Sequence, residues 1–70
     1  MRYRIKAIGS ESHYKQFEHD LLGVLIEGVL KDGVFAGLVC QSFRFDGQMV
    51  RAGTHFLCNS IEVEEVAEDE

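Results

Sequence analysis

From residue 2 to residue 8 the side chains alternate. Tyr3, Ile5 and Ala7 fall on one side, and Arg2, Arg4 and Lys6 fall on the other. That is the period of two that a half-buried strand imposes. Gly9-Ser10 ends the run. From 11 to 22 the spacing changes: Tyr14, Phe17 and Leu21 recur at i, i+3 and i+7. This predicts a short helix, with Ser10 or Ser12 capping its start and Gly23 in the left-handed position beyond its end. Four further strands follow, over 24–30, 34–45, 48–58 and 61–66. The turns between them are Lys31-Asp32-Gly33-Val34, Phe45-Asp46-Gly47-Gln48 and, less strongly marked, Asn59-Ser60. Asp-Gly suits a two-residue type I′ hairpin, whose central residues both need positive φ. Gly37 marks a bend in the third strand, and Ala52-Gly53 marks one in the fourth.

A second reading extends the helix to Lys31, with Val24, Leu25 and Val29 lengthening its stripe and Gly33 capping it. It yields an α+β fold, one longer helix packed on a four-stranded sheet. Gly23 and Gly28 would each cost such a helix about 1 kcal/mol. Val24-Leu25-Ile26 also favours a strand. The strand reading ranks first.

Two-residue turns set the registers. Lys31 faces Val34, Leu30 faces Phe35 and Ile26 faces Val39. In the second hairpin Phe45 faces Gln48, Phe43 faces Val50 and Gln41 faces Ala52. One face then gathers Val24, Ile26, Leu30, Phe35, Val39, Phe43, Phe45, Val50, Ala52 and Phe56, the expected core. The opposite face gathers Leu25, Glu27, Val29, Lys31, Val34, Ala36, Leu38, Cys40, Ser42, Arg44, Met49, Arg51, His55 and Leu57. It is mixed, with an apolar patch of Leu25, Val29, Ala36, Leu38 and Leu57. At the ends of the chain, Arg2, Arg4 and Lys6 match Glu62 and Glu64 as a ladder of opposite charges. Pairing first and last strands closes a sheet and removes its edges. The expected fold is mainly β: a small five-stranded antiparallel SH3-like or Sm-like barrel with a short helix between strands 1 and 2. The Sm-like version departs in one respect, since its helix comes first and here a strand precedes it.

Size and charge narrow the picture. The chain has 70 residues. A chain this short buries about 60% of its unfolded surface, so one small core is all it can build. The domain is expected over 1–66, with an acidic tail over 67–70. Net charge is −5. Glu62, Glu64, Glu65, Glu68, Asp69 and Glu70 stand together without a base, so the rest of the chain, with seven bases against six acids, is +1. No apolar run is long enough for a membrane span, and the first residues lead into a strand pattern rather than a signal peptide. Two cysteines are too few for a secreted disulfide framework, so the expectation is a cytoplasmic protein with free thiols.

Chemistry-bearing residues are sparse. Cys40 and His55 share the expected outer face, with Gly53 opposite Cys40. No oxyanion donor or orienting carboxylate accompanies them. His13, His19, His55, Cys40 and Cys58 lack the paired spacing of a structural zinc site, so no metal and no cofactor are expected. Glu18 and Asp20 are two apart on the helix and do not share a face. The seven glycines mark turns and bends rather than a phosphate loop. The reading that results is a non-catalytic protein-protein interaction module, an accessory or regulatory domain. Its patch of Leu25, Val29, Ala36, Leu38 and Leu57 meets another protein or a second copy. The alternative is a small barrel binding RNA or single-stranded DNA through Arg2, Arg4, Lys6, Arg44 and Arg51. The acidic tail and the cancelled charges argue against it.

Overall fold

The alternation at the start of the chain becomes strand β1, Arg2–Ile8. The computed structural model describes residues 1–67. The pairing of β1 with the last strand shifts register between Ile5 and Ala7, so Lys6 sits at a bulge. The shift changes which residues face inward. Ile5 and Ile8 are buried, while Ala7 is only half-buried.

The helical stripe is real but shorter than the 11–22 span expected. A 3-10 turn at Lys15–Phe17 leads into α1, Glu18–Leu21. Leu21 is fully buried, and Tyr14 and Phe17 are half-buried. The preceding residues use their backbone groups in successive turns, with Ser12 N–H donating to Gly9 O and Lys15 N–H to Ser12 O. The Ser12 hydroxyl accepts from Tyr14 N–H at 3.1 Å instead of capping a longer helix. Gly23, at φ 84°, turns the chain into β2, Leu25–Lys31. The long-helix alternative is thereby overturned.

The first Asp-Gly pair turns with φ of 55° at Asp32 and 79° at Gly33, and joins β2 to β3, Val34–Val39. The second turns with 51° at Asp46 and 79° at Gly47, and joins β4, Phe43–Phe45, to β5, Gln48–Val50. Lys31 pairs with Val34, Leu30 with Phe35 and Ile26 with Val39, as expected. Phe45 pairs with Gln48 and Phe43 with Val50. Gln41 and Ala52 do not pair, because the strands expected over 34–45 and 48–58 each break in two. At the first break Cys40 N–H donates to Leu25 O (2.8 Å), and Leu25 N–H donates to the Gln41 side chain (3.1 Å). At the second, the backbone N–H and hydroxyl of Thr54 both donate to Arg51 O. The β4–β5 hairpin is therefore a separate two-stranded sheet. Beyond it come β6, His55–Asn59, and β7, Ile61–Val66.

Five strands form one antiparallel sheet in the order β6-β3-β2-β1-β7. The first and last strands do pair. The barrel does not close, however: β6 and β7 occupy opposite edges. Asn59-Ser60 is a turn, with Ser60 at φ 54°, but it makes no third hairpin: the sheet curls until the end of β6 and the start of β7 are one residue apart, and the two strands do not pair. On β1 the last strand sets Val63 opposite Ile5 and Ile61 opposite Ile8. That pairing buries Ile61 against the core.

The core is Ile5, Ile8, Leu21, Val24, Ile26, Phe35, Val39, Phe56, Cys58 and Ile61. Leu30, Phe43, Phe45 and Val50 pack on it half-buried. Ala52, expected inside, is exposed because it lies in the turn that splits the strand.

Candidate functional site

Three adjacent strands present the outer face. Val29 on β2 pairs with Ala36 on β3, and Ala36 pairs with Leu57 on β6. The three residues form one row straight across the sheet. Val29 is 66% exposed and Leu57 is 65% exposed. The next row is Glu27, Leu38 and His55. Leu25 and Leu38 are half-buried. Of the expected patch, Val29, Ala36 and Leu57 share one row and Leu38 lies in the next, while Glu27 separates Leu25 from Val29 along β2. The helical segment does not cover it: Leu21 packs into the core on the other side of the sheet, and Tyr14 stacks on Phe56, which points inward.

The basic residues do not assemble into a comparable surface. Arg2 lies 3.8 Å from Glu27. Arg4 stands opposite Glu64 in the β1–β7 register and donates to Gly23 O at 2.9 Å. Lys6 is exposed at the bulge. Arg44 pairs with Met49 across its hairpin and donates to Gly47 O, while Arg51 lies past the end of β5 in the Arg51–Thr54 turn. Phe43 and Phe45 face the core, so neither joins Arg44 as a stacking platform.

A cleft of 160 Å³ opens where the β4–β5 hairpin folds back toward the helical segment. Tyr14, Phe43, Phe45, Val50 and Phe56 form its apolar walls. The rings touch edge and face: Phe17 and Phe45 have centroids 4.7 Å apart, and Tyr14 and Phe56 5.4 Å. Asp20 anchors the arrangement by accepting Asp46 N–H at 3.0 Å. The strand pattern expects Phe43, Phe45 and Phe56 in the core, and the helical spacing sets Tyr14 and Phe17 on one stripe. The spacing of the stripe signals the aromatic face, but nothing local shows that a distant turn would reach Asp20.

The thiols sit in settings that disfavour thiolate. Cys40 donates to a Glu27 carboxylate oxygen at 3.9 Å, and burial followed by that negative charge raises its pKa. Gly53 bonds to Val39 rather than standing opposite Cys40. Burial also raises the Cys58 thiol, which shares a 3.4 Å hydrogen bond with the Ser12 hydroxyl. Nucleophilic cysteines need the opposite environment, electropositive and accessible. Among the described residues no three His, Cys, Asp or Glu side chains converge as a metal site. No described helix is long and apolar enough to cross a membrane.

A scan of family models and searches of curated proteins and solved structures find no match to this chain.

Proposed function

We propose that this protein is a non-catalytic protein-interaction module that docks a protein on the outer face of its sheet. The observation that carries the reading is the exposed row Val29-Ala36-Leu57 across three hydrogen-bonded strands. A rigid sheet holds that row in place, so binding costs little ordering. The charged flank of Arg2, Glu27 and Lys31 supplies a polar rim of the kind that surrounds interface centres. The raised pKa of both thiols speaks against a cysteine nucleophile. Within this reading the frame is SH3-like, with first and last strands paired through β7 and β1, and the module works in the cytoplasm with both thiols reduced. Nucleic-acid binding has less support, since the arginines are scattered and partly neutralised.

The test compares the wild type with Val29→Asp/Leu38→Asp in light scattering and in affinity capture. The wild type is expected to associate, with a copy or a partner. The variant should melt cooperatively and associate with neither. Equal association by a folded variant would remove this surface from consideration. In parallel, single-stranded RNA at low ionic strength is expected to show no salt-sensitive retardation.

A further inference from the structure

We infer that two copies of the chain pair edge to edge through β6, extending the sheet across a two-fold axis at Leu57. The inference rests on the interaction-module reading and names a second copy as the partner.

The outer edge of β6 is open. Antiparallel pairs alternate between those that exchange hydrogen bonds and those that do not. Val39 N–H donates to Thr54 O, and Gly53 N–H donates to Val39 O, which sets the phase. Gly37 with Phe56, and Phe35 with Cys58, are then the bonded pairs toward β3. His55, Leu57 and Asn59 turn their backbone groups away from β3, and the Asn59 carbonyl also accepts the Cys58 thiol at 3.3 Å. Among the described residues, no backbone hydrogen bond from another segment meets them. A cleft of 360 Å³ lies against this strand, lined by Tyr14, Ala36, Gly37, His55, Phe56 and Leu57.

The strand is also complementary to itself. Antiparallel pairing centred on Leu57 sets Leu57 against its own copy and His55 against Asn59 of the second copy. The three residues with outward backbone groups are the three that this register requires to exchange bonds. The row Val29-Ala36-Leu57 then continues without a break into the same row of the second copy.

Charge separates the two edges. β7 carries Glu62, Glu64 and Glu65, all exposed, and two such strands would repel. β6 holds neither an acid nor a lysine or arginine. It also lacks proline and an inward charge, the usual devices that protect an edge. β6 itself brings no acid to such a joint; the next acid along the chain, Glu62, lies three residues beyond Asn59.

Sedimentation equilibrium on the full chain tests this. The wild type is expected to dimerise at low and high salt. His55→Lys/Asn59→Lys sets like charges across the joint and should raise the dimer dissociation constant roughly tenfold. His55→Glu/Asn59→Glu should do the same, and mixing the two variants should restore a dimer. That recovery also shows that each variant is folded. A dimer that withstands both double variants overturns the pairing. If Val29→Asp/Leu38→Asp alone breaks that dimer, the outer face is the contact and only the edge proposal falls. A wild type that stays monomeric also overturns the pairing, while affinity capture tests the face reading separately.

Discussion

Gly28 and Gly37 face each other where β2 crosses β3. A Cβ on Gly37 would meet the Glu27 carbonyl oxygen, lie 2.8 Å from the Gly28 Cα and 2.9 Å from the Phe35 ring. The first two obstacles are backbone and cannot swing aside. Gly37→Ala is therefore expected to lower stability by about 1–3 kcal/mol, seen as a lower denaturation midpoint with an unchanged slope. Glu18 shows electrostatics at the same scale. Its carboxylate accepts Ile8 N–H at 2.8 Å and the Lys15 ammonium at 3.0 Å, and these bonds, the backbone one foremost, hold its pKa below the usual range. A pKa lowered by folding adds stability above the unfolded value, and that stability is lost as pH falls through the folded value. Glu18→Gln should thus melt earlier than wild type at neutral pH, with the difference shrinking in acid. A difference that ignores pH would contradict this. The thiols give a third check. Both should alkylate more slowly in the native protein at neutral pH than in the unfolded chain, and rapid native labelling of Cys40 would reopen a catalytic reading.

Side chains hold the β4–β5 hairpin to the helical segment. Its turn bonds Asp20, and Phe45 packs on Tyr14 and Phe17. Phe45→Ala should speed amide exchange in 43–50 while the five-stranded sheet stays protected. Uniform acceleration throughout would mean that the hairpin and sheet unfold as one unit. Both hairpin turns were legible in the sequence because Asp-Gly acts locally, and the registers followed from loop length alone. The split of 34–45 was not legible. Cys40-Gln41-Ser42 contains neither glycine nor proline, and its corner depends on bonds to Leu25, some fifteen residues away. The bulge at Lys6 escaped for the same reason, since pairing with β7 creates it. The outer-face patch was legible because period two and a known register determine which side chains share a face. The aromatic cleft was not, because it requires knowing where the hairpin folds.

The whole molecule measures 32 × 28 × 17 Å. Its short dimension accommodates one sheet and a single covering layer, since packed layers lie about 10 Å apart. The helical segment and the β4–β5 hairpin supply that layer on the core side. Nothing in the described chain supplies a second layer over Val29, Ala36 and Leu57. Acids gather along β7, and neither β6 nor the row Val29-Ala36-Leu57 carries an acid, lysine or arginine. On the proposed reading, this row is where the protein meets its partner. The most direct measurement places a photo-crosslinking residue at Val29, with a second protein carrying it at Gln48, exposed on β5, for comparison. Irradiation in cells is expected to yield an adduct of defined mass from position 29 and none from position 48. Adducts from position 48 alone, or the same products from both positions, would contradict the claim.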